Sequence, residues 1–424
     1  MIPSSQPSPA LTIIYASAFF RSLGVGLTGV VLGIYLSRTG GSATFIGVVI
    51  AAGLVGAALG MAVVSFRADR LGRRRTLFAL ALFGAAGGLG FALTSEHRIL
   101  LLCALTGMLN GIGTDRGPSF ALEQAVIPQV TSSDRRTLTL AWHSICLEAG
   151  HALGALGAIL PSVFERRMGV GLAGSYRLTF GVYAGLNLIS AVLYLFLSSQ
   201  VEAAREGNAA RPDPVRISPK TKSIVIKLAA LSGVDSLGGG FLSDALIAYW
   251  FFQRFGVSES TLGPLFFAGH LLNSASYLVA VWLARRIGLI KTMVFTHIPS
   301  SLFLMSVPFA PSFAWAVALL LAREALVEMD VPTRQSYVLG VVQPEERTYS
   351  SGITNLTRNV ARATSPSFAG YFMQHLALAS PLVLGGGLKI AYDLILYWGF
   401  RRLKPPEEQT ERPPAQARET RTKR

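Results

Sequence analysis

The chain has 424 residues, 51% of them hydrophobic and only 14% charged, with mean hydropathy +0.47 and a formal net charge of +15. A soluble protein of this size carries roughly a quarter charged residues, so the composition excludes an ordinary soluble enzyme and points to a polytopic membrane protein. The excess of base would suggest nucleic acid in a soluble chain, but here Lys and Arg fall in the loops between apolar runs, which is the pattern of membrane topology.

A helix needs about twenty apolar residues to cross the bilayer core. That ruler gives twelve spans, near 11–36, 43–64, 76–94, 99–118, 138–160, 178–198, 225–251, 262–283, 292–310, 313–331, 350–372 and 381–400. None shows the alternating ten-residue pattern of a transmembrane barrel, so the fold class is all-α. The first ten residues lack a basic cluster and the first apolar run is too long for an h-region, so no removable signal peptide is expected. Cys103 and Cys146 lie inside apolar runs without metal or disulfide spacing, and read as packing residues.

Between the second and third spans the chain reads Ser65-Phe-Arg-Ala-Asp69-Arg70-Leu-Gly72-Arg73-Arg74-Arg-Thr-Leu77. Charge this dense cannot lie in hydrocarbon, so it is a short surface loop, and its basic excess assigns that surface to the cytoplasm. With both termini cytoplasmic, the inner loops and tail hold 26 Lys and Arg and the outer loops six. The loop resembles the signature Gly-x-x-x-Asp-Arg-x-Gly-Arg-Arg of the major facilitator superfamily. Asp69, Arg70, Gly72, Arg73 and Arg74 stand at the pattern's positions, and Ser65 replaces its leading Gly.

The resemblance covers about 11–400. It implies a monomeric, bacterial-type secondary transporter of the cytoplasmic membrane, with twelve transmembrane helices in two pseudo-symmetric six-helix bundles and alternating access for a small-molecule substrate. It also implies a cytoplasmic latch for the outward-facing state. Asp69 would meet the N-terminal end of the eleventh helix, where the dipole has the right sign, and Arg73 or Arg74 would meet Asp134 or Glu123. Lipid head groups are the other expected partners of these arginines. The second-half copy, Arg285-Arg286-Ile-Gly288-Leu-Ile-Lys291, has no aspartate, so a latch there should be weaker.

The expected domains are an N-terminal cytoplasmic segment 1–10, a bundle 11–198, a linker 199–224, a bundle 225–400 and a basic tail 401–424. The linker carries Pro212, Pro214 and Pro219 among mixed charge, a flexible composition. The halves repeat: Arg21-Ser-Leu-Gly-Val-Gly aligns with Asp235-Ser-Leu-Gly-Gly-Gly, and Leu-Gly72-Arg-Arg-Arg-Thr76 with Ile-Gly288-Leu-Ile-Lys-Thr292. Two parallel repeats around a midplane site are the architecture of this transporter class.

Charges inside spans are costly and usually face a partner or a wet cavity. Arg21, ten residues into the first span, lies roughly 15 Å deep, and its counterpart Asp235 lies at similar depth. In the family the first and seventh helices face each other across the cavity. Arg21 and Asp235 are therefore expected to bridge, or to divide substrate and proton binding between them. Glu148 and His151 share a face of the fifth span, as Arg358 and Arg362 share a face of the eleventh. Guanidinium groups hold carboxylates with two parallel hydrogen bonds, so an organic anion is the expected substrate, with a proton carried by Asp235 or Glu148. Asp244 and His270 are further cavity candidates. Asp115-Arg116-Gly-Pro118 and Asp330-Val-Pro332-Thr-Arg334 end the fourth and tenth spans alike, which assigns Asp115 and Asp330, with Asp134, to the cytoplasmic gate.

No nucleotide-binding signature, catalytic triad, cofactor motif or zinc motif is present, so an enzyme is not expected. The fifth span has Gly150, Gly154 and Gly157 but no proline, a departure from the antiporter motif of drug exporters. A multidrug exporter, a divalent-metal exporter using the mid-span His and acids, and a non-transporting assembly factor are the alternative functions.

Overall fold

The computed structural model describes residues 9–132, 135–198, 201–202, 218–330, 333–334, 337 and 346–400. Residues 1–8 of the expected segment 1–10, residues 199–200 and 203–217 of the expected linker 199–224, the tail 401–424 and the gate candidate Asp134 lie outside them.

Long apolar runs with no other way to satisfy their backbone in lipid must be helical, and they are. In chain order the helices are α1 Pro9–Arg38, α2 Ala43–Leu71, α3 Arg73–Leu93, α4 His97–Gly107, α5 Pro118–Val126, α6 Arg136–Leu156, α7 Leu160–Met168, α8 Leu172–Leu195, α9 Pro219–Gly240, α10 Asp244–Phe255, α11 Glu259–Ile287, α12 Leu289–Ser306, α13 Phe313–Val327, α14 Arg347–His375 and α15 Ser380–Phe400. The pairs α4–α5, α6–α7 and α9–α10 each continue one pass, giving the twelve expected. Eight passes are apolar and long enough to cross a membrane by composition alone. The other four are the fourth, tenth, eleventh and twelfth, which carry breaks or charges facing the protein's interior.

The fourth pass opens at Met108–Gly117, where Gly111 (φ 58°) and Gly113 (φ 84°) take left-handed conformations that a side chain would strain. Irregular backbone at this depth must find partners within the protein. Ala245 N–H donates to Gly111 O (3.0 Å), Ile112 N–H to Asn110 Oδ1 (3.1 Å) and Asp115 N–H to His151 Nε2 (2.8 Å). The seventh pass opens at Phe241–Ser243, and Ser243 caps α10.

Within the first half α1 packs on α6 and α8, and α3 on α8; within the second, α9 packs on α14 and α15, and α12 on α15. The halves meet through α2 on α14, α6 on α11 and α1 on α10. Polar contacts between them cluster on the side opposite the Arg-rich turn: Thr44 N–H to Gln374 Oε1 (3.2 Å), Gln253 Nε2 to Ser37 Oγ (3.0 Å), and Arg38 Nε with Glu259 Oε1 (3.3 Å). No hydrogen bond or ion pair among the described residues joins the halves at the Arg-rich turn itself.

The two halves share a second device, a carboxylate on a helix N-terminus, where free N–H groups favour an anion. Glu202 accepts from Arg73 N–H (2.6 Å) and Arg74 N–H (3.3 Å) at the start of α3. Glu346 accepts from Ser218 N–H (2.7 Å) and Thr221 Oγ1 (2.5 Å) at the start of α9. The Ser218 backbone bond, then the Thr221 hydroxyl, holds the Glu346 carboxyl below its ordinary 4.5. A depressed folded-state value adds stability that is present above 4.5 and is lost as pH falls below it. Thermal unfolding of wild type and Glu346→Gln should therefore differ most above the ordinary carboxylate value and converge as pH falls below it. A constant gap across that range would remove the cap from the argument.

Candidate functional site

Each half is built around one buried charge. In the first half it is Arg21, which is 6% exposed. Its two terminal nitrogens fork onto Glu123 (2.9 and 2.8 Å), its Nε donates to Asp115 Oδ2 (2.5 Å), and Tyr194 Oη lies 2.5 Å from both Arg21 and Glu123. His143 Nε2 closes the ring on Glu123 at 3.0 Å. Such bidentate, charge-assisted bonds are the strong ones, and they use every face of the guanidinium.

In the second half the hub has the opposite sign. Asp235 Oδ1 takes Lys389 Nζ (3.1 Å), and Oδ2 takes Arg334 and Arg358 (3.2 Å each). Arg334 also pairs with Asp330, while Lys389 reaches His297 Nε2 (3.1 Å), whose Nδ1 meets the fully buried Asp393 (2.9 Å). The aligned repeat thus keeps the position of the buried charge and inverts its sign.

These networks correct several expectations. Arg21 and Asp235 do not bridge, because each is saturated within its own half. Asp115 and Asp330 are buried and pair with Arg21 and Arg334 rather than with the loop arginines. Glu123 serves Arg21 rather than the loop arginines. His151 is sealed, 1% exposed, with Nε2 taken by Asp115 N–H. In the loop, Asp69 binds Arg73 Nε of its own half (2.7 Å), Arg74 donates to Leu197 O (3.1 Å), Arg70 is exposed, and Gly72 turns the chain at φ 92°.

Between the halves lies a cavity of about 670 Å³, lined among others by Glu148, Asp235, Asp244, His270, Arg358 and Arg362. It adjoins a second, of about 150 Å³, that reaches toward Arg21 and Asp115. Arg116, Asn359 and Arg362 line both. Sequence reasoning missed Lys389, His297 and Asp393, although a lysine and an aspartate inside the last apolar run were a visible signal. It also missed Glu324 and Glu328 of the tenth pass and its flank, and Tyr277, which donates to Glu328 (2.9 Å).

A helical membrane protein whose two halves meet on one side and hold a charged chamber between them has the build of a solute carrier. The family model of the Major Facilitator Superfamily matches residues 14–327 and 228–423, and the chain belongs to that family. It is thus a multi-pass membrane transporter of a small molecule, not an enzyme. The chain is 27% identical over 418 residues to "Uncharacterized membrane protein YJR124C" of Saccharomyces cerevisiae, covering 91% of this chain and 93% of that protein. Solved structures of similar fold include the nucleoside transporter NupG, with TM-score 0.71, 12% identity and coverage of 93% of this chain and 99% of that one. The inward open xylose transporter XylE from E. coli gives TM-score 0.69 and 14% identity over 91% and 96% of the two chains. A bacterial homolog to human lysosomal transporter Spinster, inward-facing and occupied, gives 0.69 and 14% over 94% and 98%.

Proposed function

We propose that the chain is a secondary active transporter that moves a small organic anion across the cytoplasmic membrane by alternating access, with proton coupling through Glu148. One observation carries the anion: the Arg362 side chain has no hydrogen bond and no ion pair among the described residues, yet it stands where the two cavities join. Arg21, Arg334 and Arg358 are each engaged by a carboxylate and Arg116 reaches Tyr277 Oη (3.4 Å), which leaves Arg362 as the guanidinium without a protein partner of its own. A carboxylate would meet it with two parallel hydrogen bonds.

For the proton, both oxygens of Asp235 are occupied by cations, whereas the nearest ion-pair partner of Glu148 is His151 Nδ1 at 3.6 Å, beyond hydrogen-bond range. Glu148 is therefore the carboxylate that can gain and lose a proton without dismantling a network. With the Arg-rich turn on the cytoplasmic side, as the positive-inside rule requires, contact between the halves on the opposite side makes this an inward-facing state. Metal export is the weaker reading, because no group of three or more His, Cys, Asp or Glu among the described residues is placed to hold a metal ion.

The test is binding of alkanoates to the purified full chain, followed as thermal stabilisation, which rises with occupancy. Arg362→Gln should weaken that binding by about tenfold or more, and it should abolish uptake into proteoliposomes. Stabilisation by cationic amphiphiles alone, or unchanged alkanoate binding in Arg362→Gln, would overturn the anion assignment.

A further inference from the structure

Behind the wall of the large cavity the second hub continues into buried titratable groups that neither the anion site nor Glu148 uses. Lys389 lines that cavity, its ammonium held between Asp235 Oδ1 and His297 Nε2 at 3.1 Å from each. His297 Nδ1 meets Asp393 Oδ2 at 2.9 Å, and the two residues are 1% and 0% exposed. Asp393 Oδ1 has no hydrogen-bond partner among the described residues. Lys389 therefore joins the cavity to this sealed pair. The helices packed on His297 bring few other charges. From α15 come Lys389, Asp393 and the ring of Tyr392, and from α9 comes Asp235. On α13 Arg323 is paired with Glu324, and its carbonyl accepts from Ser300 one turn along α12. On α11 His270 faces Asp244 and Tyr277 faces Glu328.

An ammonium can only donate, so His297 Nε2 accepts from Lys389 and the ring proton lies on Nδ1, donated to Asp393. In that form Lys389, Arg334 and Arg358 face Asp235, Asp330 and Asp393, three cations against three carboxylates, and the network is neutral. One more proton can enter along the same bonds. Lys389 Nζ–H breaks as His297 Nε2–H forms, His297 Nδ1–H breaks as Asp393 Oδ2–H forms, and Lys389 regains its proton from water in the cavity. The Asp393 carboxyl is then neutral, which removes the cost of a buried charge with one oxygen unmet. Nε2 has become a donor, so it faces the ammonium donor to donor and that hydrogen bond is lost. The network has gained one positive charge, and Lys389 has an N–H without an acceptor at the cavity wall.

We infer that Lys389 is a second, conditional ligand for the transported anion, released into the cavity that Arg358 and Arg362 line when a proton is stored on the His297–Asp393 pair. This rests on the anion assignment above and adds a proton site separate from Glu148. Proton and anion then bind together, because each supplies the charge that the other leaves unbalanced, and the coupling is reciprocal.

The probe is hexanoate, titrated calorimetrically into the purified full chain in buffers of different ionisation enthalpy, which counts the protons taken up per anion bound. Glu148→Gln is the background, so that uptake at Glu148 does not enter the count, and the pH stays above about 6, where the probe itself is ionised. Binding should take up protons, and affinity should fall by up to about tenfold per pH unit across the range of uptake. Asp393→Asn, which keeps the shape of the side chain, and His297→Gln should each bring uptake close to zero and flatten that dependence. Size-exclusion profiles check that they remain folded, and either one suffices. Lys389→Gln should lose about tenfold or more in affinity at the acidic end and little at the alkaline end. No uptake in the Glu148→Gln background, uptake that persists in both Asp393→Asn and His297→Gln, or an equal loss at both ends in Lys389→Gln overturns the conditional ligand alone. Hexanoate binding indifferent to Arg362→Gln overturns the anion reading instead, and no binding of hexanoate by wild type overturns both.

Discussion

Replacing Asp235 with alanine is expected to be the most damaging single substitution in the second half, costing about 3–5 kcal/mol. The reason is arithmetic of charge rather than loss of one bond. Lys389, Arg334 and Arg358 all lie within 3.2 Å of this carboxylate, so its removal leaves three cations facing one another with only Asp330 to share. An uncompensated buried charge is far more costly than an absent pair. Asp235→Asn keeps the shape and should destabilise nearly as much, because an amide offers no charge. Adding Lys389→Met to Asp235→Asn removes one stranded cation and should recover part of the loss, a non-additivity expected of groups in one network. Thermal unfolding of the purified variants measures all three. A stable Asp235→Ala, or a double variant no better than Asp235→Asn, would show that the hub is not what holds these helices in register.

The fold was legible where the physics is one-dimensional. Apolar length places the spans, and the density of arginine at 65–75 separates loop from lipid without knowledge of any contact. The repeat also showed from Arg21 and Asp235 that a charge stands at matching depth in each half. What the residues do not encode is azimuth. Depth equality made Arg21 and Asp235 natural partners, but on a helix the neighbours one turn away face different helices. Arg21 looks toward Glu123 and Tyr194, and Asp235 toward Lys389. The pairing expected of Asp115 and Asp330 with the loop arginines differs for a related reason. The sequence places them at the ends of straight spans, whereas Gly111 and Gly113 break the fourth pass and turn Asp115 onto Arg21. Glu202 was illegible because it sits in a stretch whose composition signals only a linker, yet its carboxylate completes the α3 terminus.

The sign inversion between the hubs has a mechanical meaning. Both saturated networks lie within single halves, so each half can move as a unit without breaking its buried ion pairs. The contacts that must be made and broken lie between the halves, and those near α2 and α14 are made by glycines rather than charges. Alternation then depends on how closely two helices approach, which is a steric quantity.

Gly47→Ala tests that dependence with a single methyl group. A Cβ at Gly47 would lie 2.1 Å from Pro366 O and 3.1 Å from the Gly370 Cα, and one at Gly370 would lie 2.2 Å from Ala43 O. These neighbours are backbone, so no rotamer change relieves the clash; the helices must separate. Overpacking of this kind costs about 1–3 kcal/mol. Because the strain sits between two independently packed halves, it is released by opening this side rather than by unfolding. A shift of that size changes the ratio of two conformations by about tenfold to a hundredfold. Transport by Gly47→Ala should fall by a similar factor while thermal stability stays near wild type. A cysteine placed at Asn359, in a chain with Cys103 and Cys146 replaced by serine, should become more reactive to an impermeant thiol reagent added on the Gly47 side. Gly181→Ala is the control, since nothing lies within 4 Å of the added atom, and it should behave as wild type. Unchanged transport and labelling in Gly47→Ala would mean that this contact does not set the distance between the halves. A loss of folded protein would instead place the contact within a rigid core and remove it from the moving parts.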